Sequence, residues 1–115
     1  MPGNPSDLWM RIDDQPDRTV VRFSPGIFLS EVNSDVFSSR LESLIDQREK
    51  PYIVLDLTGV ALLSSVILGK LTKLNERIVE AGGRLTIANP GPSILQVFRV
   101  TRLDTILEIS PPPSD

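Results

Sequence analysis

The stretch Asp56–Leu71, DLTGVALLSSVILGKL, decides how this chain folds. It leaves an apolar run, passes a Thr-Gly turn, and ends on residues spaced for a helix, with Ser64 and Ser65 at the junction. Upstream, Tyr52–Leu57 is apolar at five of six positions without alternation, which predicts a central strand covered on both faces. Downstream, Leu68, Leu71, Leu74, Ile78 and Ala81 recur in steps of three and four. That spacing predicts a helix over Val66–Ala81, stopped by Gly82 and Gly83.

Working outward, Arg84–Asn89 reads as a second buried strand, Pro90–Pro92 opens a short helix carrying Ile94, Leu95, Val97 and Phe98, and Thr105–Ile109 reads as a last short strand. On the N-terminal side, Leu8–Asp13 and Thr19–Ser24 flank the turn-forming DQPD and predict a hairpin. The run SPGIFLSEV breaks this pattern. It leads to Asn33 or Ser34, either a plausible cap for a helix with Val36, Phe37, Leu41, Leu44 and Ile45 that ends near Gln47. The order β-β-α-β-α-β-α-β places the chain in the α/β class: one domain over residues 8–110, with a mixed four- to five-stranded sheet and helices packed against it. Residues 1–7 and 111–115, rich in Pro and Ser, read as flexible termini.

Composition removes several chemistries. The 115 residues contain no Cys and no His, which excludes thiolate nucleophiles, Ser-His and Cys-His pairs, disulfides and the usual zinc sites. No cofactor or metal is expected. No secretory leader pattern and no spanning apolar run is present, so the expected location is cytoplasmic, without membrane insertion. A net charge of −3 argues against direct nucleic-acid binding. Between Ser64 and Thr86, however, four basic residues (Lys70, Lys73, Arg77, Arg84) face two acidic ones, leaving either a solvated helix face or a partner surface.

Capping explains one serine at a helix start, since its hydroxyl accepts a free backbone N–H, worth about 1 kcal/mol. A second hydroxyl, at the C-terminal end of a buried strand, stands where open α/β sheets display their sites. A phosphate there meets unpaired N–H groups and a dipole that favours an anion by roughly 0.3–1 kcal/mol, so modification would act on a partner and not unfold the domain. Asp56 with Asp13 or Asp14 could suggest a paired-carboxylate or magnesium site, but no Gly-rich loop follows a strand, and Ala81–Gly83 precedes a strand instead of a helix. Asp56 is expected to bond loop backbone. Ser65 has neither a His nor a nearby Lys to serve as base, so the chain is not expected to be an enzyme.

These residues resemble the STAS domain family, which includes bacterial anti-sigma factor antagonists. Val54–Leu71 is similar to the family's strand, Asp-x-Ser/Thr-x-Val turn and serine-bearing helix start, and Ala81–Ile109 to its Gly-Gly-x-Leu strand, Asn-Pro turn and following helix; together the likeness spans roughly Leu8–Ile109. The resemblance implies a dephosphorylated antagonist that binds an anti-sigma factor, also its serine kinase, and is reset by a phosphatase. In the family motif Asp-Ser-Ser/Thr-Gly-Leu the first serine takes the phosphate; that position falls on Ser65, with Ser64 the second candidate. The implied partner surface is Ser64, Ser65, Val66, Ile67, Gly69, Lys70, Lys73 and Arg77.

The chain departs from the motif at Ser64 for Asp, Val66 for Ser/Thr and Ile67 for Gly, whose branched side chain beside Ser65 either hinders a kinase or supplies an apolar anchor. Arg102 replaces a family Gly at a helix end, and no C-terminal helix is expected after Ile109. The competing reading is an unphosphorylated structural or regulatory STAS subunit, in a signalling assembly or beside a membrane lipid or anion transporter. In that reading the serines are caps and Ile67 packs. A homodimer is left open, and no nucleotide-binding loop is recognisable.

Overall fold

The computed structural model describes residues 9–110. The expected flexible termini, the first residue of the expected N-terminal strand, and the expected lack of a C-terminal helix lie outside the described residues. Strands β1 (Met10–Asp14) and β2 (Thr19–Phe23) form the expected antiparallel hairpin, with Met10 opposite Phe23 and Asp14 opposite Thr19. Strand β3 (Phe28–Leu29) and helix α1 (Ser34–Asp46) follow, then β4 (Tyr52–Asp56), β5 (Leu62–Leu63), α2 (Ser65–Glu80), β6 (Arg84–Ala88), α3 (Pro92–Val100) and β7 (Glu108–Ser110). The main sheet has five strands in the order β1-β2-β4-β6-β7, all parallel from β2 onward, and β3 pairs with β5 in a separate parallel ribbon.

Each crossover after β2 moves one strand further in the same direction. Right-handed connection therefore puts α1, α2 and α3 on one face. The core lies between that face and the helices: Met10, Val21, Ile53, Leu55, Leu85, Ile87 and Ile109 from the strands meet Phe37, Leu41, Ile67, Leu71, Ile78 and Phe98 from the helices. Among the described residues no helix lies on the other face. The expected cover on both faces of β4 is present, since Ile53, Val54 and Leu55 are all buried, but on this second face side chains and not helices provide it. Val20, Val54 and Thr86 form a cross-strand row on that face and are nevertheless buried. Long side chains border the row: the Arg18 and Arg84 guanidinium groups lie 5.7 and 5.1 Å from the Tyr52 ring centre, and Arg84 is paired with Glu108. Arginine stems and an aromatic ring shield apolar backbone in this way while their charged ends stay wet.

Two expectations shift in detail. The last strand is Glu108–Ser110 and not Thr105–Ile109, because Leu103–Thr105 forms a short 3-10 turn after Arg102, whose φ is 62°. The turn is closed by Leu107 N–H to Leu103 C=O (2.8 Å) and by the Thr105 hydroxyl to Arg102 C=O (2.6 Å). At α1, Asn33 holds the cap position, but its side chain turns back to accept from Ser30 N–H (2.8 Å) and donate to Phe28 C=O (3.0 Å). It therefore fixes the preceding loop instead of capping the helix.

The two glycines after α2 do different work. Gly82 takes the left-handed conformation (φ 78°) that ends the helix, whereas a Cβ on Gly83 would sit 2.0 Å from the Pro51 carbonyl oxygen. That carbonyl accepts from Arg84 N–H (2.8 Å) and opens the β4–β6 ladder. Gly83→Ala is therefore expected to cost about 3 kcal/mol or more, read from urea unfolding. Arg102→Gly should stabilise the fold by about 0.5–1 kcal/mol in the same assay, since it removes a left-handed L-residue.

Candidate functional site at the start of helix α2

The C-terminal ends of β2 and β4 lead into two loops that run side by side and place the start of α2. Gly26 N–H donates to Gly59 C=O (2.6 Å), Ala61 N–H to Ile27 C=O (2.8 Å) and Ser64 N–H to Leu29 C=O (2.9 Å). Between these bonds lies the β3–β5 ribbon, with Phe28 opposite Leu62 and Leu29 opposite Leu63. Strand alternation turns Leu29 and Leu63 inward and leaves Phe28 (60%) and Leu62 (42%) exposed side by side. Val66, in the first turn of α2, and Val32, in the turn after β3, are exposed as well. Phe28, Leu62 and Val66 thus make an apolar border beside the helix start.

Ser64 is the cap of α2: its hydroxyl accepts from Ile67 N–H (3.4 Å) and its carbonyl from Leu68 N–H (3.1 Å). Ser65 is the first helical residue and is exposed. The N–H groups of Ser65 and Val66 precede the first N–H that donates within the helix, that of Leu68, and no acidic residue stands in this turn, so the positive end of the helix is uncompensated. The local geometry can hold an anion on the Ser65 oxygen.

The eight sequence-derived partner residues separate into three groups. Ser65, Val66 and Gly69 are exposed, Ser64 is half-buried, and open space lies where a Gly69 side chain would stand. Ile67 is fully buried in the core, so it is neither an obstruction beside Ser65 nor a surface anchor; that expectation is corrected by the phase of the helix. Lys70, Lys73 and Arg77 lie on one flank and line a groove with Ser38 and Glu42 of α1, and two of them are bridged to α1. Lys70 is 3.7 Å from Asp35, and Arg77 is 3.5 Å from Glu42 and 3.2 Å from Asp46. Lys73 is exposed and makes none of these bridges. Phe28, Leu62 and Val32 were missed in the sequence; their signal was the apolar content of SPGIFLSEV and of Ala61–Leu63, segments too short to show a period.

The acidic residues form a bracing network, not a paired-carboxylate centre. Asp56 accepts from the Thr58 N–H (3.0 Å), the Thr58 hydroxyl (2.6 Å) and the Asn89 side-chain amide (3.2 Å), with Arg22 3.7 Å away. Arg22 also holds Asp13 at 3.2 Å, while Arg48, from the loop after α1, pairs with Asp14 at the β1–β2 turn. Burial opposes ionisation of Asp56, but the Thr58 and Asn89 hydrogen bonds and the Arg22 charge outweigh it and hold the carboxyl below its ordinary value. Among the described residues no group of three or more His, Cys, Asp or Glu is placed to hold a metal, and no helix is long and apolar enough to cross a membrane.

A single α/β domain with a one-sided, mostly parallel sheet carries this site. The family profile of the STAS domain matches residues 10–114, and the chain belongs to that family. Its fold is shared with a STAS-domain anti-sigma-factor antagonist from Planctomyces limnophilus (23% identity, 87% of this chain and 87% of that one, TM-score 0.77). An anti-sigma factor antagonist from Mycobacterium paratuberculosis is similar (22% identity, 96% and 91% coverage, TM-score 0.76). So is the phosphorylated form of the Bacillus cell-fate determinant SpoIIAA (16% identity, 88% and 90% coverage, TM-score 0.68).

The Asp56 network gives a signed pH dependence. A carboxyl held low in the fold contributes stability above its unfolded pKa and loses it as pH falls through the folded value. Asp56→Ala is expected to cost about 1–2 kcal/mol near neutral pH, and the difference from wild type should shrink as pH falls below about 4 in urea titrations.

Proposed function

We propose that this protein is an anti-sigma factor antagonist-like adaptor that binds an anti-sigma factor with serine-kinase activity. Phosphorylation of Ser65 ends the complex, and a phosphatase restores it. The observation that carries this reading is the exposed Ser65 hydroxyl at the first position of α2, bordered by exposed Phe28, Leu62 and Val66. The family membership and the solved antagonists of the same fold support it. The inventory without His or Cys favours an adaptor over an enzyme.

The energetics suit a switch. The helix N-terminus tolerates a phosphate, so the modified domain stays folded. The apolar border gains affinity only when a partner removes it from water, and a group of about −1.5 to −2 charges at its centre resists that same desolvation. Ser64 would cap the helix in both states, Gly69 would let a partner approach closely, and Lys73 would offer a cation to an acidic partner. Such a partner implies a cytoplasmic setting, with neither membrane insertion nor direct DNA contact.

Incubation with a cognate anti-sigma kinase and ATP should place one phosphate on Ser65, located by mass spectrometry and absent in Ser65→Ala. Ser65→Asp should weaken the complex tenfold or more, equivalent to about 1.4 kcal/mol or above, with unfolding free energy within about 1 kcal/mol of wild type. Phe28→Ser or Leu62→Ser should weaken it without touching the hydroxyl. A second reading draws on the same apolar border, which is complete without a phosphate: an unphosphorylated STAS subunit of a signalling assembly or transporter. Binding that survives Ser65→Asp but fails in Phe28→Ser would select it.

A further inference from the structure

We propose that β1 pairs edge to edge with β1 of a second copy of this chain, so that two five-stranded sheets become one continuous sheet. The proposal is independent of the Ser65 reading. β1 ends the strand order, and among the described residues only β2 lies beside it. Ser24 N–H donates to Trp9 C=O (3.0 Å) and Gln15 N–H to Arg18 C=O (2.8 Å). By antiparallel alternation Trp9, Arg11, Asp13 and Gln15 turn their backbone groups toward β2, and Met10, Ile12 and Asp14 turn theirs outward.

A second copy related by a two-fold axis must oppose outward-facing residues to outward-facing residues. The register that overlaps the whole of Met10–Asp14 satisfies this requirement: it is centred on Ile12, with Met10 opposite Asp14. The same register sets Arg11 of each copy opposite Asp13 of the other, in the pair type where side chains approach most closely. Sliding one step along either way sets Arg11 against Arg11 or Asp13 against Asp13. Backbone phase and charge therefore select the same alignment.

The charges are otherwise poorly arranged in the single chain. Arg11 lies directly opposite Arg22, and like charges so placed repel. Arg22 is bridged to Asp13 and Asp56, while Arg11 makes no ion pair among the described residues. Pairing two copies would extend Asp56–Arg22–Asp13 by an alternating fourth charge, Arg11 of the second copy. Charged edge strands also serve to repel stray partners, but that use requires like charges opposed at full overlap, and here unlike charges meet. On the helix side, half-buried Ile12 borders a groove lined by Ser39, Arg40, Ser43, Leu44 and Gln47, where a second copy would meet both small and long polar side chains.

Sedimentation velocity from micromolar to millimolar concentration should show a reversible dimer. Arg11→Asp and Asp13→Arg should each raise its dissociation constant about tenfold or more, because each makes both symmetric contacts repulsive. Arg11→Asp should remain well folded, since it gives Arg22 an acidic neighbour. Mixing the two single variants should restore association through a heterodimer, and the double variant Arg11→Asp/Asp13→Arg should restore the homodimer. A wild-type chain that stays monomeric at millimolar concentration, a dimer indifferent to Arg11→Asp, or a mixture that fails to associate would each overturn the proposal.

Discussion

Burial of Ile67 sets the geometry of the candidate site. Ile67, Leu71, Leu74 and Ile78 lie in the core, which fixes the rotation of α2 about its axis. Successive helical residues turn by about 100°, so Ser65 stands about 200° around from Ile67 and faces away from the sheet. Lys70 and Arg77 fall on the flank that meets α1, where their ion pairs with Asp35, Glu42 and Asp46 tie the two helices together. That rotation thus decides which of the two serines caps the helix and which is presented.

Around that presented hydroxyl the loops are stiff for their length. Three backbone hydrogen bonds join the segment after β2 to the segment after β4, and Asn33 closes the turn behind Phe28 from both sides. The apolar border is therefore held in place before any partner arrives, which limits the conformational entropy lost on association. The opposite sheet face solves its exposure differently, with Arg18, Arg84 and Tyr52 lying beside a short row of buried residues.

Long elements with a clear period were legible in the sequence. The hairpin, α1, α2 and β6 fall within a residue or two of where their spacing placed them, because each carries a run of core side chains long enough to repeat. The two-residue strands β3 and β5 were not legible, since alternation needs more positions than they have and their pairing is a long-range event. The displaced β7 followed from a left-handed arginine, a conformation that no local pattern announces. The sequence showed that β4 is covered on both faces but not by what, because Tyr52–Leu57 reads the same whether helices or long side chains do the covering. Ile67 shows a further limit: its role depended on helix phase, which the motif comparison could not supply.

The ends of the sheet also differ in how firmly they are closed. β4 is flanked by strands on both sides and carries α2, whereas β7 has three residues, one neighbour among the described residues, and a turn entered through strained Arg102. Local opening follows the weakest cooperative unit, so amides of the α3–β7 segment should exchange with solvent well before those of β4. Fluctuations of that edge can then occur while the first turn of α2 keeps its shape. A partner bound at the helix start would feel a rigid surface even on a domain that breathes at its far side.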